Sequence, residues 1–393
     1  MRAAKSKGFG SISWTNPRLR SLVYQLLAIG GTVAIISFFV LTARANLERQ
    51  HIASGFAFLD HTAGFGVIQA LIPYTEESSY GRVFLVGLFN TLLVAVIGTV
   101  FAVALGFVIG VARLSNNWLI AKLAAVYVEV FRNIPLLLQL FFWYFVILRP
   151  LPGPRESIKL LPDVFLSNRG IVMPAFGSTQ ATLAFVLVTL ATIIGVIIMR
   201  RWARKRFLAT GQTFPDGRLS LALLVALPLG AALIFGAPFS LTPPVMGPFN
   251  FVGGWHLLPE FVALTFGLTV YTASFIAEIV RSGIQSVSKG QTEAAYAIGL
   301  NPSQTLRFVI IPQALRVIVP PLTSQVLNLT KNSSLAVAIA YPDLVAVFAG
   351  TVLNQTGQAI EVIAITMAVY LVISLATSYA MNVYNARVAI VER

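Results

Sequence analysis

Cysteine is absent from this 393-residue chain, so disulfides and thiolate metal sites are excluded. Histidine is nearly absent: His51, His61 and His256 fall in expected loops, lack metal-ligand spacing and read as surface residues. No G-x-x-x-x-G-K-[ST] run occurs, so the chain has no P-loop with which to hydrolyse a nucleotide. A Ser/His/Asp set and a carboxylate pair in a credible cleft are missing too, so no catalytic residue is assigned. Charge itself is scarce, at 11% of residues.

Apolar residues fill that space. They make up 57% of the chain, mean hydropathy is +0.81, and uncharged runs near twenty residues recur. This is the composition of an all-α polytopic membrane protein. The net charge of +14 invites a nucleic-acid reading, but in such a chain the position of the cations matters more. With the spans given below, 20 of the 28 Lys and Arg fall in loops on one side, taken as cytoplasmic. Seven fall outside and one within a span. The surplus is an orientation signal, and no nucleic-acid partner is expected.

Eight spans are expected. The first, 22–43, follows the basic residues Arg2, Lys5, Lys7, Arg18 and Arg20. Ala43-Arg44-Ala45 mimics a cleavage site, but the apolar run is too long for a signal peptide and reads as an uncleaved span. The second lies in 83–112, where Gly98, Gly106 and Gly110 permit close helix packing. Residues 118–131 read as an interfacial helix leading into a third span at 133–149, with Pro135 as kink or start. Spans at 180–199 and 219–237 form a hairpin around Arg200, Arg201, Arg204, Lys205, Arg206 and Arg218, the clearest positive-inside mark. The remaining spans lie at 260–281, inside 313–340, and at about 359–385. Residues 150–179 and 238–259 read as external loops. Two charged pairs one helical turn apart, Glu129 with Arg132 and Glu278 with Arg281, are expected to be structural.

Between spans six and seven, residues 286–316 turn mixed and helix-forming. A short helix over 292–298 ends at Gly299 in the C′ role, and Asn301-Pro302 opens a second helix. The paired small Ala294 and Ala295 would allow close approach by another protein. In span seven, Asn328-Leu-Thr-Lys331-Asn332-Ser333-Ser334 is the most polar intramembrane run. A lysine there costs roughly 2.5 kcal/mol or more on insertion scales, so it faces a cavity, a partner or the bundle. It either ties a broken helix to carbonyls or lines a path.

The spacing Glu293-Ala294-Ala295, three residues, Gly299, nine residues, Val309, one residue, Ile311-Pro312 resembles the Glu-Ala-Ala loop of bacterial ABC-importer permeases. Tyr127-Val-Glu-Val-Phe-Arg-Asn-Ile-Pro135 resembles their polar amino-acid branch, with Asn133 in place of the commoner Gly. Asn250-Phe-Val-Gly-Gly254 and Gly267 through Arg281 resemble the larger permease subunits of general L-amino-acid importers. The likeness covers about 83–149 and 249–393.

It implies a five-helix permease core carried by 83–149 and 260–393. Residues 1–82 add an N-terminal tail, helix and external segment, and 150–259 add loops and an inserted hairpin. It further implies ATPase coupling through Glu293, Ala294, Ala295, Gly299, Asn301 and Pro312, and a substrate path at Asn328, Lys331, Asn332, Ser333 and Ser334. No cofactor is expected in this chain, since ATP and Mg would be bound by a partner ATPase present in two copies. Further implied partners are a related second permease, a periplasmic amino-acid-binding protein and membrane lipid. The implied location is the bacterial inner membrane, multi-pass, with both termini cytoplasmic. An ion-coupled carrier is the rival, but no internal repeat supports it. A structural or receptor protein would leave the 286–316 loop unexplained.

Overall fold

The computed structural model describes residues 17–49 and 55–388. Arg2, Lys5, Lys7, His51 and Arg393 lie outside the described residues. Among those described, seven helices are long and apolar enough to cross a membrane, or eight counting one bent pair.

Helix α1 (Pro17–Arg49) has none of its most apolar window buried against the rest of the chain. Helix α2 (Tyr80–Ala112) is capped by Ser79, whose hydroxyl accepts from the Arg82 N–H. Helix α3 (Trp118–Asn133) is capped by Asn117 and leads to α4 (Leu136–Phe141), which continues as π-helical turns to Leu148. The chain bends by 105° between them, at Ile134-Pro135. The bend follows from proline, which disfavours the α conformation in the residue before it. Asn133 therefore belongs to the interfacial helix. The 13 residues Leu136–Leu148 rise about 20 Å, short of the ~30 Å hydrocarbon core.

Helices α5 (Gln180–Thr210) and α6 (Asp216–Phe235) form the inserted hairpin. Then come α7 (Pro259–Gln285), α8 (Lys289–Ala297), α9 (Pro302–Thr305), α10 (Ile311–Asn332), α11 (Leu353–Thr356) and α12 (Ala359–Val388). Helix α7 is the hub, packed against α2, α10, α3 and α4. The α2–α7 contact is close because glycines face it. A Cβ on Gly106 would lie 2.6 Å from Ile276 Cβ, and one on Gly110 would lie 2.7 Å from the Ala277 carbonyl oxygen. Between membrane helices, where lipid is as apolar as leucine, such contact supplies the stabilisation. A second apolar cluster at the Tyr80 end joins Phe58, Tyr80 and Val83 to Leu344, Phe348 and Val352.

The expected loops are not irregular. Residues 158–178 and 239–257 hold eight short strands, so the mostly helical fold carries a small β cap. Strands β1 (Ile158–Leu161), β2 (Val164–Ser167) and β3 (Gly170–Met173) form an antiparallel meander closed by β8 (Trp255–Leu257). Its tight turns use Pro162-Asp163 and Asn168-Arg169, residues suited to turns. Strand β4 (Ala175–Ser178) pairs with β5 (Phe239–Thr242), and β6 (Val245–Met246) with β7 (Phe251–Val252). The antiparallel hairpin brings Ser178 and Phe239 together, so their flanking strands pair.

Candidate functional site

Helix α8 ends as its sequence demands. The Gly299 N–H donates to the Tyr296 carbonyl at 3.0 Å and the Leu300 N–H to the Ala295 carbonyl at 3.1 Å, with Gly299 at φ +83°. That double bond is the Schellman closure, and the left-handed backbone at its centre favours glycine. Asn301 then caps α9: its side chain accepts from the Gln304 N–H at 2.9 Å, and Gln304 Oε1 accepts the Asn301 N–H at 3.0 Å. Pro302 occupies the first turn.

The second helix does not stop there. It widens into π-helical turns over Leu306–Ile310, with the Ile311 N–H reaching the Leu306 carbonyl. Pro312 explains the widening, because proline inside a helix lacks an N–H and crowds the preceding turn. From Pro302 to Ile339 the chain is one 38-residue helical rod. Gln313 Nε2 donates to Gln291 Oε1 at 3.1 Å and ties the rod to α8.

The two alanines of this motif face opposite ways. Ala294 is exposed with Glu293, Gly299, Asn301 and Pro312, whereas Ala295 is buried against its own chain. The expected pair of approach points is therefore a single one. Around it the surface exposes Tyr296, Ile298, Leu306 and Phe308, and Ile298 is 77% exposed. These exposed apolar side chains are spread over both helices.

At the same end of the bundle, Glu278 pairs with Arg281 and also with Arg113, the residue that ends α2. Arg281 Nε lies 3.2 Å from Glu278 Oε1, and its Nη1 donates to Gln285 Oε1 at 2.6 Å. The sequence spacing reached the first partner but not Arg113, which lies far away along the chain. The other expected pair is absent: among the described residues Glu129 and Arg132 make no ion pair. Asn133 Nδ2 donates to the Glu129 carbonyl at 2.8 Å, and the Arg132 guanidinium sits 5.1 Å from the Phe275 ring centre. Cross-helix stacking draws the arginine away from its neighbour.

Along α10, Val317, Pro321, Ser324, Asn328 and Lys331 share one exposed face at helical spacing. Ser333 is buried and Asn332 and Ser334 are partly so. Ser333 Oγ donates to the Thr330 carbonyl and Ser334 Oγ to that of Lys331, each at 2.7 Å. The helix tightens to a 3-10 form over Ser333–Ile339. The Lys331 ammonium makes no hydrogen bond to a carbonyl among the described residues. Exposed polar groups on a membrane helix need water or protein beside them.

One buried polar knot was missed. Asn90 Nδ2 donates to the Gln69 and Pro342 carbonyls at 2.8 Å each, and the Leu344 N–H donates to Thr91 Oγ1 at 3.0 Å. Asp343, fully buried, accepts the Ala346 N–H at 2.8 Å and so caps the turn after it. Burial pushes its carboxyl up to about 7. Asn90-Thr91 inside an uncharged span was the available signal, but nothing local marked Asp343 as its neighbour.

Residues 102–390 match the family described as the binding-protein-dependent transport system inner membrane component. The chain is 53% identical to YhdX of Escherichia coli (strain K12), described as an amino-acid ABC transporter permease protein, over 98% of each chain. It is 52% identical to the general L-amino acid transport system permease protein AapQ of Rhizobium johnstonii, over 96% of this chain and 94% of that one. It is 41% identical to the glutamate/glutamine/aspartate/asparagine transport system permease protein BztB of Rhodobacter capsulatus, over 96% and 95%. None of these three names describes an ion-coupled carrier.

Proposed function

This chain belongs to the family of inner membrane components of binding-protein-dependent transport systems and is an amino-acid ABC transporter permease; on that premise we propose how it works. It is a multi-span helical protein of the bacterial inner membrane. Two permeases, this chain and a related one, enclose the path. Two copies of a separate ATPase bind ATP and Mg and dock at α8, and a periplasmic binding protein delivers the amino acid to the opposite face. The cation distribution supports cytoplasmic termini and a cytoplasmic α8.

One observation carries the coupling step: the rod from Pro302 to Ile339 begins at the α8 turn and reaches beyond Lys331. Closure of the ATPase pair moves α8, and the rod, held to it through Gln291 and Gln313, carries that motion to the exposed face bearing Asn328 and Lys331. There the Lys331 ammonium meets the substrate carboxylate, with Asn332, Ser333 and Ser334 beside it where the helix tightens. The names of AapQ and BztB support L-amino acids of broad range, acidic and amide types included.

The test is purification and reconstitution. A tagged chain should co-elute with a second permease and a P-loop ATPase, and should take up labelled amino acids only with ATP and binding protein. Uptake by this chain alone, without ATP, would overturn the reading.

A further inference from the structure

The inserted hairpin ends in an amphipathic ribbon. In the β4–β5 pair Phe176 stands opposite Leu241 and Ser178 opposite Phe239. Side chains alternate along a strand, so Phe176, Leu241 and Phe239 share one face while Ala175, Gly177, Ser240 and Thr242 share the other. The three apolar side chains are all exposed, and so is Trp255, which packs on Phe176 at 5.3 Å between ring centres. The β6–β7 pair repeats the pattern: Val245 and Val252 are direct partners, both exposed, and the turn between the strands carries Phe249, 82% exposed. From 236 to 258 there is not one Asp, Glu, Lys or Arg.

The ribbon is fixed to the membrane hairpin. Thr179 Oγ1 donates to the Ala237 carbonyl at 2.7 Å, and Thr182 Oγ1 donates to that of Pro238. Phe239 meets Phe185 of α5 edge to face at 5.8 Å. The apolar face of the ribbon thus runs on from the exposed apolar face of α5 at Leu183, Val186 and Leu187. A two-stranded ribbon is marginal in water and gains from an apolar cover. A partner that binds and leaves through water has a polar, charged rim; residues 236–258 carry no charge of their own, and Arg155, which donates to the Pro248 carbonyl at 2.7 Å, suits lipid phosphates at the edge.

We propose that the ribbon dips into the phospholipid bilayer at the headgroup–acyl boundary, anchored by Phe176, Phe239, Leu241, Phe249 and Trp255. Aromatic rings suit that layer, where headgroups and water can still bond the free strand edges. The cap becomes a lipid anchor that fixes how the insertion sits beside the permease core. This inference rests on the chain being embedded in a membrane and not on how transport is driven.

The absence of cysteine makes the test direct. Phe249→Cys and Ser240→Cys, on opposite sides of the proposed waterline, are each purified in the complete complex. Each is labelled with a polarity-sensitive fluorophore in phosphatidylethanolamine–phosphatidylglycerol liposomes. The label at 249 should emit to the blue, and lipids brominated on upper acyl carbons should quench it about threefold more than the label at 240. Aqueous iodide should show the reverse order. Val252→Cys serves if the first variant fails to assemble. Equal iodide quenching at both positions without a bromolipid effect would overturn the proposal. So would shielding of position 249 that appears only when an amino-acid-binding protein is added, since that would assign the face to a soluble partner.

Discussion

Helix α7 and the α5–α6 hairpin are both apolar enough to cross a membrane, yet they are used differently. In α7, 67% of the most apolar window is buried inside the protein, against 11% in α5 and 11% in α6. Their glycines differ likewise. Gly106 and Gly110 of α2 press on α7, whereas Gly195 in α5 has nothing within 4 Å of an added Cβ. Hydrophobicity places a helix in lipid, but only a facing partner makes it core. The hairpin packs mainly on itself, so its outer surface is free to differ, and its β cap follows from that freedom.

The sharpest way to break this comparison is to swap side chains into the two kinds of glycine. Gly106→Leu should strongly reduce the yield of assembled complex, because overpacking costs about 1–3 kcal/mol or more. Gly195→Leu should change stability by less than about 0.5 kcal/mol. Equal tolerance of both would deny α2–α7 its place as the core contact.

The next largest effect belongs to the α8 turn. Gly299→Arg should abolish uptake while the chain stays in the membrane. An added Cβ meets nothing within 4 Å, so the obstacle inside the chain is the φ of +83°, not crowding. Gly299→Asn should therefore retain much of the uptake, because asparagine visits the left-handed region readily. Full activity in the Arg variant would sink the coupling assignment.

On the exposed face of the rod, Lys331→Met should lower uptake about tenfold, a 1.4 kcal/mol effect, with complex yield unchanged. Unchanged uptake would remove Lys331 from the path, and a lost complex would give it an assembly role instead.

A pH-dependent effect is expected at Asp343, in the polar knot of the core. Its carboxyl ionises at about 7 when folded and at 3.8 otherwise, so the folded state holds its proton longer. Stability should therefore fall as pH rises from about 4 to 7 and then level off. Asp343→Asn should flatten that slope in thermal melts of the complex. An unchanged slope would mean another group sets it.

The smallest change is expected of Glu129→Gln, which breaks no ion pair and should leave the melting temperature as it was. Glu278→Gln should cost on the order of 1 kcal/mol by releasing Arg113 and Arg281. Similar melting temperatures for the two would make the Glu278 cluster no more structural than a surface charge.

Local features read truly from the sequence wherever the deciding atoms are near in the chain. Gly299, Asn301 and Pro302 set the α8 turn through bonds spanning five residues at most, and Pro135 sets its bend through its own ring. Arg132 was misjudged because Glu129 is near in sequence but Phe275, on another helix, is the group it reaches. Ala295 looked outward by composition, and its burial depends on how α8 leans on its neighbours. The β cap was hidden because 158–178 and 239–257 pair across an intervening helical hairpin.

The amino-acid order by itself determined that this is a membrane protein, where its apolar runs lie and where the α8 turn stands. Each of those is a matter of local hydrophobicity or of backbone chemistry within a helical turn. Tertiary structure alone decided that α7 is the hub, that Glu278 holds Arg113, that Asp343 is buried beside Asn90, and that Lys331 faces outward. Those depend on which helix surfaces meet, and in lipid that choice is made by shape and hydrogen bonding between segments far apart in the chain.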